Sequence, residues 1–437
     1  MPVTRRQFLL GAAAAGVAVA SSNVLEPFAQ AAKPRPLPSP SQSGIDHIVV
    51  LCMENRSFDH FLGWLPGATG KQGGLTYLDD AGQRHETHHL TDWTGCGFND
   101  PDHSYEGGRV QYAGGKIDGF RKGGNDDYAL GYYTAEDLPT TFQLASNFTA
   151  CDHWFAGILG PTYPNRFYTH AAATDRIENS MDTSTLPTIW DRLHDAGVPA
   201  NYYFSDLPFL GLWGTKYAPI ARPFEQFYVE AAAGTLPAYA YLDPFFLGED
   251  QGGSNDDHPH ADIRRGQNLI GMVVDALLHS PLWSSTVLIV TYDEWGGFFD
   301  HVVPPRFPDL VSNPGGGVDN PDHGQAGFRV PTMVVSPFAR RGAVAGTVFE
   351  HSAILKLVEW RYGLTSLTPR DAASANIASV LDFSAPNKRP PTIAVPPDPG
   401  PHVCGTEALT GGGMATDESF WLELASAPQL RAFGAPR

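Results

Sequence analysis

The chain has 437 residues and a formal net charge of −18, with charged residues at 17% and aromatics at 11%. That balance excludes a disordered chain and leaves ample length for a large buried core. The acidic surplus argues against nucleic acid as a partner and against tight adsorption to strongly anionic membranes.

The first segment reads as a targeting sequence. TRRQFLL carries Arg5 and Arg6 ahead of the small, apolar run GAAAAGVAVA, which is too short to span a bilayer. Ala29-Gln30-Ala31 fits a small-x-small cleavage site. Residues 1–32 are therefore expected to be a signal, and KPRPLPSPSQSG, residues 33–44, a flexible linker. Two arginines directly before Gln-Phe-Leu-Leu resemble a twin-arginine export signal, with the export machinery as a partner and a secreted or envelope location. An ordinary signal peptide or an uncleaved anchor is the alternative.

IDHIVVL, residues 45–51, reads as a buried parallel strand. ENRSFDHFLG follows at residues 54–63, so Glu54 and Asn55 stand where that strand ends, the edge at which open α/β sheets bind ligands. Two adjacent oxygen donors there could hold a hard divalent cation; they could equally begin a loop and cap a helix. Residues 64–140, rich in Gly, Asp, His and Tyr, read as long loops over one face of the sheet. GPTYPNRFY, residues 160–168, reads as a helix start with Thr162 as N-cap. A hydroxyl at a helix N-terminus beside a metal could attack phosphorus, although a structural cap is the simpler meaning of the motif alone.

Further on, Tyr202-Tyr203-Phe204 and residues 239–246 are aromatic clusters that could wall a substrate cleft or simply pack in the core. ADIRRGQNLIGMVVDALLH places Ile263, Ile270, Val274 and Leu277 on one helical stripe, with Pro281 beyond it. STVLIVT, residues 285–291, is a second apolar strand, and it delivers Asp293 and Glu294 as the first delivers Glu54 and Asn55. Trp295-Gly296-Gly297 permits a tight path to Asp300 and His301. RVPTMVVSPFA at residues 329–339 reads as another strand, and HSAILKLVEWRYGL as a helix capped by Gly363. A short helix is expected over residues 418–425. The alternation implies an α/β fold, a mainly parallel central sheet with helices on both faces. With no clean boundary from 45 to 385, one catalytic domain is expected over 45–392 and an extension over 393–437.

His258 and His260 could form a His-x-His zinc pair, but no thiolate or third nearby histidine completes it. Cys52 reads as a buried hydrophobe, and Cys96 could pair with Cys151 in an oxidising compartment.

The stretches ENRSFDHFLG, KIDGF, TYPNRF, DDHPHADI, DEWGGFFDHV, FRVPTMVVSPF and FEHSAILKLVEW, in this order from about residue 45 to 365, resemble the bacterial phospholipase C and acid phosphatase family. Its plant relatives are the non-specific phospholipases C. The resemblance implies an alkaline-phosphatase-like fold, one divalent metal on Glu54, Asn55, Asp293 and Glu294, and Thr162 as nucleophile. His103, His258, His301 and His351 match positions near the phosphoryl group, and Asn165, Arg166 and Asp300 are expected to face substrate. DDHPHADI departs from the pattern, since a Pro is usual where His260 stands. The extra C-terminal β-domains of the longest family phospholipases do not follow residue 437, so only transient membrane contact is expected.

Three functions fit these residues: a phospholipase C working through a phospho-threonine, an acid phosphatase acting on monoesters, or an exported phosphate or lipid binder without catalysis. The last would be expected to lack Thr162 or a metal ligand. Export has its own test: Arg5→Lys with Arg6→Lys should leave unprocessed precursor inside the cell, by immunoblot of cell fractions. Normal secretion of that double variant would assign the chain to the general pathway.

Overall fold

The computed structural model of the chain describes residues 36–249, 252–314, 322–404 and 416–434. The expected signal at 1–32 lies outside the described residues. Part of the expected linker is held down. Pro40–Gln42 forms a 3-10 turn, Leu37 packs on the core, and Ser43 and Ile45 are buried.

Eight strands make the central sheet: β1 (His47–Met53), β2 (Thr149–Cys151), β3 (Ala200–Phe204), β4 (Ala221–Pro223), β5 (Tyr239–Asp243), β6 (Thr286–Tyr292), β7 (Thr332–Val335) and β8 (Ala343–Ala345). Their spatial order is β8-β2-β7-β6-β1-β5-β3-β4. All run one way except β7, which is antiparallel to both β6 and β2. The reversal has a simple cause. A parallel return needs a crossover, usually a helix, and the described part of 293–331 holds none, so the chain turns back along the edge it left. That segment consequently stays at the carboxyl ends of the parallel strands.

Every residue of β6, and all of β1 after His47, is buried, as expected of central strands covered on both faces. Helices α1 (Phe58–Leu62), α2 (Tyr105–Tyr112), α3 (Pro139–Asn147), α4 (Thr162–Ala171), α5 (Ile189–Asp195), α6 (Phe224–Ala233), α7 (Ile263–Leu278), α8 (Ser352–Tyr362) and α9 (Pro369–Ala373) precede a last helix at Thr416–Ser426. Helices α3, α6 and α7 pack together as one group, and α4, α5, α8 and α9 as another. Helix α7 starts at Asp262, whose side chain accepts from Arg264 N–H. It buries Ile263, Ile270, Val274 and Leu277, the stripe read from sequence, each worth about 1.5–3 kcal/mol. Gly363 ends α8 in the left-handed conformation.

Two expectations change. Cys96 is bonded to Cys404, not to Cys151, which sits buried in β2 as a free thiol; Cys52 of β1 is likewise free and buried. The bridge fastens the tail to the loop that carries Asp100 and His103. The aromatic clusters are core apart from Phe245, which is exposed. Tyr202, Tyr203, Tyr239 and Tyr241 are fully buried, and Phe246 stacks on Trp421 of the last helix at 4.1 Å. That helix, expected in a separate extension, thus completes the core behind α4, where Tyr163 also meets Trp421.

His170 of α4 lies fully buried among Tyr241, Phe209 and Trp190, and neither ring nitrogen has a hydrogen-bond partner. Burial, aided by the Arg166 charge, lowers its pKa from 6.5 to about 3. A depressed folded value means its stability contribution is complete above the unfolded pKa and is lost as pH falls toward the folded one. His170→Phe should therefore lose less of its melting temperature than the wild type between about pH 7 and about pH 5. Parallel melting curves for the two proteins would show that His170 is not a source of acid sensitivity.

Candidate functional site

The site begins with strand register. Strands β1 and β6 are parallel neighbours with Met53 opposite Tyr292, so Glu54-Asn55 and Asp293-Glu294 leave the sheet side by side. Asp293 N–H donates to Met53 C=O, and Asn55 N–H donates to Asp293 Oδ1 at 3.1 Å. Asn55 adopts φ 58°, a left-handed conformation that a short polar side chain tolerates and that a built site can hold. Gly296 is required here: a Cβ would lie 2.2 Å from Asn55 C=O, and its φ is 62°. Gly297 does the same for Pro101, letting the loop with Asp100 and His103 close over the turn.

Helix α4 supplies Thr162. Pro161 occupies the cap position, so Thr162 is the first helical residue and not the cap expected from sequence. Its hydroxyl faces the end of β1. It donates to Glu54 Oε1 at 3.0 Å and lies 3.5 Å from Asn55 Oδ1. One turn later on the same face, Arg166 reaches across three strand ends. Its Nε donates to Asp293 Oδ2 at 2.9 Å, one terminal nitrogen to Asp243 Oδ1 at 2.8 Å, and the other to the carbonyls of Cys52 and Met53. Glu54 Oε2 is 3.7 Å away. Expected to face substrate, Arg166 is instead fully occupied by the protein. Asn165 is likewise turned inward, accepting from Ile158 N–H and donating to the carbonyls of Gly160 and Pro161.

These groups are all fully buried. Burial, reinforced by Asp293, raises the Glu54 pKa well above the usual carboxylate range, while Arg166 pulls it down. Asp293 is also raised by burial, against the same guanidinium. Burial opposes the Arg166 charge, but Asp293, Cys52, Asp243 and Glu54 outweigh it and leave its pKa well above normal. One arginine thus faces three buried carboxylates, and Glu54 Oε2 has no hydrogen-bond partner. Surplus buried negative charge on hard oxygen donors suits a divalent cation. Sequence assigns that role to Glu54, Asn55, Asp293 and Glu294, but Asp293 already accepts from Arg166 Nε through Oδ2 and from the N–H groups of Asn55 and Glu294 through Oδ1. The Glu294 side chain accepts from Gly296 N–H at 2.7 Å.

The histidines divide into separate settings. Glu54 N–H donates to Asp256 C=O, which docks the loop DDHPHADI on the strand end. His258 lies there between carboxylates, with Nδ1 3.3 Å from Glu249 and Nε2 4.0 Å from Asp100. His103 packs edge-on at 5.9 Å, and its Nε2 meets Asn55 Nδ2 at 3.3 Å. Asp100, His103 and His258 form one group able to hold an ion, and Glu54, Glu249 and His258 another. His260 bonds Phe98 C=O and so ties two loops together. His351 is buried beneath the site, accepting from Trp154 Nε1–H at 3.3 Å and bonding Asp293 C=O through Nε2. Burial lowers its pKa to about 4, so it is neutral near pH 7 and positions the Asp293 backbone.

Asp300 and His301 belong to a different cluster. Asp300 is paired with Arg329, and His301 Nδ1 bonds Asp59, whose other oxygen meets Arg329 at 3.1 Å. Their hydrogen bonds reach neither Thr162 nor the Glu54–Asp293 pair. Sequence reading missed Asp243, Asp100, Asp256 and Glu249. Asp243 ends the apolar run YAYL and follows the same rule as Glu54 and Asp293; Asp256 stands within DDHPHADI, and Asp100 three residues before His103. Glu249, in an irregular loop, gave no signal.

A model of the Phosphoesterase family matches residues 45–365. Phospholipase C B of Mycobacterium tuberculosis is 33% identical over 462 residues, covering 88% of this chain and 86% of that protein. Non-specific phospholipase C6 of Arabidopsis thaliana is 32% identical over 379 residues, covering 78% and 72%. Among solved structures, a protein in the alkaline phosphatase superfamily from Vibrio parahaemolyticus aligns at 11% identity with a TM-score of 0.38, covering 78% of this chain and 73% of that one. With the family model spanning most of the chain and these relatives matched over most of their length, the chain belongs to the Phosphoesterase family and is a hydrolase of phosphoric ester bonds.

Proposed function

We propose that the protein is an exported phospholipase C, cleaving a phospholipid to diacylglycerol and a phosphorylated head group through a phosphoryl group carried on Thr162. The observation that carries the reading is the Thr162 hydroxyl, 3.0 Å from Glu54 Oε1, where two strand ends and a helix N-terminus meet. The relatives named phospholipase C support the substrate class. Export through the twin-arginine pathway rests on Arg5 and Arg6 and on the small apolar run after them.

The chain's own groups suit a two-step displacement. Thr162 Oγ attacks phosphorus, its proton passing first to the Glu54 oxygen it already contacts. The P–O bond to glycerol breaks, and the diacylglycerol oxygen takes a proton from His258, which Glu249 and Asp100 flank. Water then attacks phosphorus and gives a proton to His258, the P–Oγ bond breaks, and Thr162 recovers its proton from Glu54 as the phosphorylated head group leaves. The amide of Asn55, and His103 once its Nε2 is protonated, offer donors to the phosphoryl oxygens. A divalent cation on Glu54, Asn55, Asp293 and Glu294 would polarise a phosphoryl oxygen and ease ionisation of the threonine hydroxyl. Arg166 acts indirectly, holding Asp293 and Asp243 against the end of β1.

Thr162→Ala should lower kcat by about a thousandfold or more, with the far-ultraviolet dichroism unchanged, and Thr162→Ser should keep part of the activity. An alanine variant as fast as the wild type would make Thr162 structural and water the direct nucleophile. The wild type should release phosphocholine from phosphatidylcholine faster than it cleaves p-nitrophenyl phosphate. Cleavage of the monoester well below neutral pH, with phosphatidylcholine untouched, would replace this reading with an acid phosphatase.

A further inference from the structure

A polar groove lies at the opposite edge of the sheet from the Thr162 site. It has a volume of about 710 Å³, and Arg340, Arg341, Arg389, Asp382, Asn387 and Trp283 are among the residues that line it. Two chain segments are stitched together to form it. Ala339 bridges Leu381, Asp382 N–H donates to Phe338 C=O, and Asn387 N–H donates to Pro337 C=O at 2.7 Å. Arg340 N–H donates to Thr149 Oγ1, and Thr149 Oγ1–H donates back to Arg340 C=O. The groove is thus part of the folded scaffold.

Its charge is unusual for this molecule. Elsewhere Arg166, Arg329 and Arg370 give their guanidinium groups to buried carboxylates. Among the described residues, no ion pair engages Arg340, Arg341 or Arg389. Asp382 is the one acid lining the groove, and its Oδ1 accepts from Ser384 N–H and Oγ–H. Three guanidinium charges against one carboxylate leave a surplus of two positive charges, on a chain of net charge −18. Trp283 adds an apolar wall. It is 4% exposed, packs edge-on against Phe148, and its indole N–H has no hydrogen-bond partner.

The groove is remote from the Thr162 cluster. Trp283 precedes β6, Phe148 precedes β2, and Ser336 follows the reversed β7, so all three mark the amino-terminal edge of the parallel strands. Glu54 and Asp293 stand beyond the carboxyl-terminal edge, one seven-residue strand away. That is a separation of roughly 20 Å at about 3.3 Å per residue.

We propose that this groove is a second binding site for the phosphoryl group of a phosphate ester, separate from the catalytic centre. A phosphomonoester dianion matches the surplus charge. Guanidinium forks are built for bidentate contact with phosphoryl oxygens. The groove's size fits a phosphate with an organic body, which Trp283 and the prolines beside Arg389 would cover. The phosphoryl group could arrive on a soluble ester or on a lipid head group.

The test uses the full chain carrying Thr162→Ala, with and without Arg340→Gln and Arg341→Gln. Phosphocholine and inorganic phosphate are titrated calorimetrically at constant ionic strength, and vesicles of phosphatidylcholine doped with phosphatidic acid are tested by co-sedimentation. The arginine substitutions should weaken binding of one phosphate equivalent by about tenfold or more. In the protein with Thr162 intact they should leave cleavage of p-nitrophenyl phosphate unchanged. Loss of soluble-ester binding assigns a free ester as the source, and loss of vesicle binding alone assigns a lipid head group; either sustains the site. Arg389→Gln, on the other segment, should show the same loss at an unchanged melting temperature. Equal binding with and without the arginines, or no binding of either ligand outside the catalytic centre, would overturn the proposal.

Discussion

The arrangement of the site depends on one buried charge. The Arg166 guanidinium touches Asp293 beyond β6, Asp243 at the end of β5 and the last carbonyls of β1, and so locks three adjacent strand ends together. Removing one partner of such a buried pair costs about 3–5 kcal/mol, because the other charge is stranded out of water. The same contact fixes α4. Thr162 lies four residues before Arg166 on one face of the helix, so anchoring Arg166 aims the threonine hydroxyl at Glu54. Phe246, stacked on Trp421, covers the guanidinium from behind at 4.6 Å and keeps solvent from the pair.

The surroundings are tuned to the same end. His351, neutral and bonded between Trp154 and the Asp293 carbonyl, sets the backbone from which that carboxylate hangs. Gly296 and Gly297 let two loops approach closer than any side chain would allow. The disulfide from Cys96 to Cys404 holds the loop of Asp100 and His103 to the tail. That tail runs beside α7, where Asn268 donates to Pro396 C=O and Gln143 meets Ala394 from α3. Groups of the candidate site, gathered from distant parts of the chain, are thus fixed by contacts outside it.

Much of this was legible in the sequence because strand ends are readable. Apolar runs over 45–51 and 285–291 placed Glu54, Asn55, Asp293 and Glu294 at one edge, and parallel register made them neighbours. The stripe of α7 and the glycine ending α8 were equally plain, since helix period and capping are local properties. What failed was non-local. Whether Arg166 meets substrate or carboxylate depends on Asp243, a residue 77 positions away. The partner of Cys96 lies 308 positions away, a distance on which spacing is silent. The aromatic strands β3 and β5 read alike as cleft wall or core, and burial on both faces decided for core. The direction of β7 turned on the connection before it, whose described residues hold no crossover helix, rather than on any residue within the strand.

The proposed reaction requires a phosphoryl group held by Thr162 at the junction of β1, β6 and α4. Rapid acid quench of the enzyme during turnover, followed by peptide mass spectrometry, examines it directly. A phosphorylated peptide containing Thr162, seen with substrate and missing without it, is the expected result. Quenched enzyme that turns over rapidly yet carries no phosphoryl group on Thr162, while releasing product of inverted configuration at phosphorus, would contradict it.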